Sequence, residues 1–443
     1  MNKCIRFWRR LALFFVVVCT LSITVLHAQV GGFVESATAA GLRPRMSAGE
    51  IQVFIPARGQ FKFPAPYFTT GVRLTNSSDC GGSDCVIPVG YSYWRNTNNH
   101  IGSDTMLVFL TLERTKGGGG PNLFSYNKVT GNTQNLGPLF SLDSPYRWRT
   151  GEGWYFSATQ PTTLYMNDGS RMLRYDVITH VFETVYEVSS NRYLWQMHSS
   201  GNDRVHSATL RDSNSYEMLG CVVFSQDTGQ MLFYPHKGDF DECQIDKSGR
   251  WLLIKENIDG RNGEDNLIID PQTGNEQILL DENGAAGHSD MGYGYMVMED
   301  NFYFLPGAVR VIQFDQEYNH NDGLVYQLSS WSSGLGHISH SNAKPGVPIS
   351  DQMACSSNAS RLNLPRVNEI VCYRLDGSLN ALIVAPNLVD LNASGGGSDD
   401  YNKFPKGNLD VTGEYFIWTA NAGTNRIDAF IVRIPQMMLG LNP

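Results

Sequence analysis

The chain has 443 residues, 34 of them basic and 43 acidic, for a net charge of −9, and only 17% of its residues are charged. A net acidic surface repels phosphate backbones, so nucleic acid is excluded as a partner. The length exceeds what one ordinary core fills, and 44 glycines with 11% aromatics point to a turn-rich, all-β chain built from repeats.

At the start, Lys3, Arg6, Arg9 and Arg10 precede an apolar run over 11–26 and then Leu-His-Ala. That order predicts a secretory signal peptide over 1–28, cut after Ala28. An uncleaved anchor is the alternative, with a run short for a span. Cleavage removes four positive charges and no negative ones, leaving −13 on about 415 residues. The expected location is secreted or periplasmic, with no membrane contact after cleavage. Six cysteines remain: Cys80, Cys85, Cys221, Cys243, Cys355 and Cys372. An even number in an exported chain predicts disulfides, and six cysteines allow roughly fifteen pairings. Sequence neighbours are the favoured partners: Cys80 with Cys85, Cys221 with Cys243, Cys355 with Cys372. A zinc site at Cys80 and Cys85 is the alternative, with no second Cys or His pair suitably spaced nearby.

Residues 29–50 carry no period and read as an extended lead. Strands are predicted over 51–55 and 71–75. The clearest repeat unit lies at 241–280, where apolar runs at 243–245, 251–254, 267–269 and 278–280 are separated by DKSG, a polar loop and PQTG. Gly, Pro and Asp in those separators supply the backbone angles of tight turns. Four such strands form one antiparallel meander, and a lone meander cannot bury both faces. Its second hairpin recurs at 123–136, 173–186, 222–234 and 371–384, with a degenerate copy at 309–328 and a last copy of two strands at 415–435. The turn residues Gly131, His180, Gly229 and Gly274 lie 45 to 49 residues apart. This period predicts a seven-bladed β-propeller of four-stranded antiparallel blades over 51–443, a single domain. The last blade lacks an outer strand, and a spare N-terminal strand would complete it and close the ring. A pair of β-sandwiches is the alternative, but does not account for the even period.

Alignment of the blades on their first turn gives a ladder of comparable positions: Asn98, Trp148, His198, Gln244, His288, His337 and Asn408. A second rung, two residues on, carries Ser200, Asp246, Asp290, Ser339 and Asp410. Equivalent positions on innermost strands point the same way, so imidazoles from distant parts of the chain are expected to face one axial channel. His is a common metal ligand and transfers protons near neutral pH. The structural reading is that these groups bind ordered water in a polar tunnel. His340 lies three residues beyond His337 and is predicted to face the other side of its strand. The loop over 390–407 precedes the last inner strand and should overhang one mouth, with Asp399, Asp400, Tyr401, Lys403 and Lys406 as candidate cation or substrate groups; a plain solvated loop is the alternative. Trp195, Trp251, Tyr293, Tyr295 and Trp418 are expected to pack between blades, although exposed aromatic faces would suit sugar rings. Asp259, Asn262, Glu264 and Asp265 lack EF-hand spacing. No GxSxG, HExxH or P-loop occurs, and the GGGG at 117–120 leads into Pro121, not Lys-Ser.

GHSD (287–290), GHISH (336–340) and NLDVTGEYFIWTAN (408–421) resemble the propeller-type polysaccharide lyases, such as the oligogalacturonate and ulvan lyases, and also uncharacterised exported bacterial propellers. The lyase resemblance implies an axial divalent metal, Mn or Ca, held by three His and one Gln. His198, Gln244, His288 and His337 match that composition. The chain departs from the family in spreading the four over four blades, where the family clusters Gln and two His in one short segment. The implied activity is β-elimination on an acidic, uronate-containing polysaccharide, with His288 and His337 as metal ligand or base and Tyr401 and Lys406 on the substrate side. The other reading is a non-catalytic propeller that binds a glycan or an extracellular protein. The chain is expected to be a monomer.

Overall fold

The computed structural model describes residues 31–441 except 37, 40, 142, 147–152, 262, 301–307, 317–323 and 329–336, with backbone alone at 300 and 324–328. The expected signal peptide, Trp148 and Asn262 lie outside the described residues.

Seven antiparallel sheets succeed one another along the chain as the blades of a propeller. Blade four shows how the repeat forms. Its strands are Asp239–Ile245, Leu252–Asn257, Asp265–Asp270 and Asn275–Leu279. Asp246 closes the first turn, with Oδ1 accepting from the amides of Arg250 and Trp251 at 3.0 and 2.9 Å. Gly249 in that same turn and Gly274 in the last turn of the blade both sit at φ of 75°, where a side chain would be strained. Leu252, Leu253 and Ile254 are all buried, because a blade packs on both faces against its neighbours. The second-rung aspartates then link blades. Asp246 Oδ2 accepts from the Gly294 amide of blade five at 2.7 Å, and Asp290 accepts from the His340 amide of blade six.

Blade two starts at Tyr155–Phe156, blade three at Arg192–Ser199, blade five at Ala286–Met291, blade six at His337–Ser339 and blade seven at Asn408–Leu409. Blade one has three full strands, Thr105–Leu112, Gly120–Asn127 and Thr133–Pro138, and its inner edge is an irregular segment bridged at Thr97 to Val108. Ring closure follows the sequence expectation. Thr70–Arg73 pairs with Asp428–Arg433, and Gly59–Lys62 adds a further strand outside it. Arg73 and Thr75 both bind the Asp428 carboxylate, which pins the closure electrostatically.

Two expectations are corrected. Residues 51–55 are not a strand. Ala48–Phe54 is a helix with a capping box in which Ser47 and Glu50 exchange bonds, a local signal that outweighs the β-branched content of the segment. The lead is not merely extended, because Phe33–Glu35 pairs with Ala381–Pro386 as a fifth strand of blade six.

All three neighbour disulfides form: Cys80–Cys85, Cys221–Cys243 and Cys355–Cys372. The first excludes zinc at that pair. The second staples the third strand of blade three to the inner strand of blade four. Such bonds are consistent with an oxidising, extracellular or periplasmic setting. Among the described residues no helix is long and apolar enough to cross a membrane.

Candidate functional site

Inner strands run from an upper mouth, where Asp239 and His288 sit, to a lower mouth near Lys247 and Ser341. Between the mouths the axis is filled by the chain itself. Residues 91–96 enter the ring and between them touch six blades. Arg95 donates to Phe156 O of blade two at 2.9 and 3.1 Å. Trp94 Nε1 donates to Met197 O of blade three at 2.8 Å, and the Tyr93 hydroxyl to Glu242 of blade four at 2.9 Å. Tyr91 packs its ring on His288 of blade five and His337 of blade six, at 6.0 and 4.9 Å. Ser339 Oγ donates to Ser92 O at 2.6 Å, and Asn96 exchanges bonds with Asn408 of blade seven. Beside Trp94 and Arg95 lies a small cavity of about 20 Å³.

His198 lies under this plug. Its ring stacks on Trp94 at 5.3 Å, and its Nε2 stands 4.0 Å from Glu242 Oε2. Burial pushes its pKa down to about 4, so it is neutral at pH 7. Glu242 is the hub. It accepts from Lys255 Nζ at 2.7 Å and from Gln244 Nε2 at 2.8 Å, beside the Tyr93 bond. Burial would raise the Glu242 pKa, but Lys255 and the other donors outweigh it and hold it below the usual range. Burial would likewise neutralise Lys255, and Glu242 instead holds it above its ordinary value.

A second cluster lies at the upper mouth. The His288 and His337 rings are 4.5 Å apart. Burial lowers His288 to about 4 and takes His337 well below its ordinary value, with each further opposed by Lys406. The Tyr401 hydroxyl bonds to that of Tyr91, and Lys406 Nζ sits 3.4 Å from the centre of the Tyr401 ring. Tyr401 and Lys406 therefore reach the axial cluster, as the position of the 390–407 loop predicts. The other polar residues of that loop are committed to structure. Asp399 caps the short helix Asp400–Lys403, Asp400 pairs with Arg361, and Lys403 Nζ donates to Leu391 O at 2.9 Å. His340 faces away from His337, bonded to the Tyr295 hydroxyl at 2.7 Å and Met353 O at 2.9 Å.

The expected metal set thus divides. His288 and His337 adjoin, while His198 and Gln244 flank Glu242. Buried atoms without a hydrogen-bond partner occur in both groups, at His198 Nε2, Gln244 Oε1 and His337 Nδ1. Yet among the described residues no three His, Cys, Asp or Glu side chains gather as a metal-ligating group. The residues present do not fit a resident divalent ion, and no step is routed through one.

Above the plug opens a cleft of about 740 Å³. Tyr91, Tyr93, Trp195 and Phe240 form its apolar walls, and His288 and Arg211 reach its edge. Asp239, Asp241, Glu242, Glu264 and Glu299 make it acidic. Arg211 lies over the Trp195 ring at 5.3 Å. Burial, with Glu242 and Asp239 nearby, raises the Glu264 pKa. Trp195 lines the cleft, whereas Trp418 and Tyr295 are interblade packing. The sequence reading missed Glu242, Lys255 and the plug. A signal existed for the plug: three aromatics in GYSYW (90–94), just past a disulfide loop and ahead of the first regular blade.

Compared with known proteins, the chain matches no family model and no curated relative. It does superpose on solved propellers. An oligogalacturonate lyase in complex with manganese is 12% identical, with 87% of this chain and 98% of that one covered and a TM-score of 0.57. An oligogalacturonate lyase from Vibrio parahaemolyticus is 9% identical, with 92% and 100% covered and a TM-score of 0.57. This likeness establishes the fold, a propeller of that kind.

Proposed function

We propose that the protein is an exported carbohydrate-binding propeller whose ligand occupies the upper-mouth cleft. The observation that carries this is the lining of that cleft, carboxylates set among aromatic faces. Aromatic rings stack on the C–H faces of sugars, and ionised carboxylates accept hydrogen bonds from sugar hydroxyls. The sign of the charge favours a neutral or amino sugar over a uronate, because a polyanion would meet like charges in a partly desolvated site. Titration calorimetry with neutral, amino and uronate oligosaccharides is the test. Neutral or amino sugars should bind, and Trp195→Ala should weaken them. Binding of uronates alone would overturn the charge argument.

A second reading, a lyase acting on uronate glycans by β-elimination, is favoured by the neutral His288–His337 pair beside Tyr401 and Lys406. In it a neutral imidazole takes the proton at the carbon next to the carboxylate, the glycosidic C–O bond on the following carbon breaks as the double bond forms, the leaving oxygen takes a proton from water, and Lys406 offsets the carboxylate charge. The test is the ultraviolet absorbance of an unsaturated product from uronate polymers, with and without Mn²⁺ or Ca²⁺. No absorbance rejects it. If product forms, His288→Ala should abolish it with the fold kept.

A further inference from the structure

We propose that the lower mouth is a second, separate site, which binds a small organic anion: a carboxylate or phosphate ester on an apolar body. The cavity there is about 940 Å³ and shares none of its lining with the upper cleft. Its charge is opposite in sign. Arg95, Lys128, Lys247, Lys344 and Arg433 line it, against Asp104 and Glu414. Glu414 is already engaged with Arg433 at 3.7 Å and Lys247 with Asp290 at 3.6 Å, which leaves Arg95, Lys128 and Lys344 against Asp104.

Arg95 is the decisive residue. It is 6% exposed, and its hydrogen bonds go to a single backbone carbonyl, Phe156 O. Among the described residues no carboxylate lies within ion-pair distance of it. A guanidinium has five donors in a planar fork suited to two oxygens of one anion, and this one, lying over the Tyr155 ring at 5.7 Å, has an aromatic face but no anion to complement its charge. The nearby carboxylate of Asp203 is taken by Ser157, Thr159 and the Thr159 amide. A second group points the same way: half-buried His100, also in this wall, has a buried Nε2 without a hydrogen-bond partner. Ser103, Ser199, Ser341 and Thr412 add hydroxyls to the wall, and apolar side chains make up one part of it. Ile101 and Val129 stand 90% and 74% exposed at the rim, with Tyr293 and Tyr415 deeper. A charged head on Arg95 with a short chain lying against these residues fits both halves of the cavity. The plug at 91–95 separates the two sites, so each mouth selects a different sign of ligand.

Calorimetry on the full disulfide-bonded protein tests this with octanoate, octyl phosphate, inorganic phosphate and octylamine, all below micelle-forming concentrations. The expected result is binding of octanoate or octyl phosphate, whichever head is preferred, and none of octylamine. Arg95→Gln should weaken it at least about tenfold. Arg95 also supports Phe156, so Lys344→Glu, at a half-buried rim position, serves as the second variant and should weaken binding several-fold. Failure of both anions to bind would overturn the proposal, as would unchanged binding in both variants. Inorganic phosphate binding as tightly as octyl phosphate would overturn the apolar half of the assignment.

Discussion

Replacement of Lys255 by Met is the sharpest test of how the upper cleft is built. Lys255 is 1% exposed and Glu242 2%, and their 2.7 Å ion pair is the principal positive neutralisation of the cleft floor. Met keeps the stem volume and deletes the charge. Glu242 would keep the Tyr93 hydroxyl and the Gln244 amide as donors, but no cation. Removal of one partner of a buried pair costs about 3–5 kcal/mol, because the other charge stays desolvated. The pH dependence carries the sign. In the native protein Glu242 is held below its ordinary value, so its stabilisation exists above the unfolded carboxylate pKa and fades as pH falls through the folded one. Without Lys255, burial dominates and the folded pKa rises above the unfolded value. Acidification then protonates Glu242 more readily in the folded state and narrows the gap to the wild type. Denaturant unfolding at about pH 7 and about pH 5 measures both effects. The double variant Lys255→Met, Glu242→Gln should recover much of the loss at neutral pH. A cost below about 1 kcal/mol, or a gap that does not shrink in acid, would refute the assignment of Glu242 as the buried charged hub.

Other consequences are equally checkable. Burial lowers His198 and His206 to about 4, so each contributes stability that is full above the unfolded imidazole pKa of about 6.5 and falls as pH drops toward about 4. That amounts to about 2 kcal/mol for each by about pH 5, and thermal midpoints across this range should fall less for His206→Gln than for the wild type. Joint replacement of Cys221 and Cys243 by Ser opens a link across 22 residues and should cost about 3 kcal/mol in denaturant unfolding; an unchanged midpoint would remove its role as a staple between blades. A Cβ at Gly238 would lie 1.8 Å from Asn257 O, so Gly238→Ala should cost at least about 1–3 kcal/mol and lower the thermal midpoint. Trp195→Ala should weaken sugar binding by about 1 kcal/mol in calorimetry while near-ultraviolet dichroism shows the other blades intact.

Much of the fold was legible because it is local and repeated. Turn residues at a steady spacing, flanked by short apolar runs, name the four-stranded meander, and a missing outer strand at one end with a spare one at the other names the closure. The disulfides were legible because blade neighbours are sequence neighbours. The segment expected as a strand over 51–55 lies largely in the helix Ala48–Phe54, because the Ser47–Glu50 capping box starts a helix there, a signal an apolar run does not show. The lead strand Phe33–Glu35 is too short to show a period, and its partner lies far along the chain at Ala381–Pro386.

Repetition alone determined that His198, His288 and His337 face the axis, because inner strands in equal register present equivalent side chains to one channel. What fills that channel was decided only in three dimensions. Tyr91–Arg95 is a non-repeating segment, and no period can say where a non-repeating segment goes. Once it threads the ring it stacks on His198 at one level and packs edge-on or tilted against His337 and His288 at another, and it divides one tunnel into an acidic mouth and a basic one. Charge sign at each mouth depends on which loops from separate blades meet there, a property of closure that the linear chain does not carry.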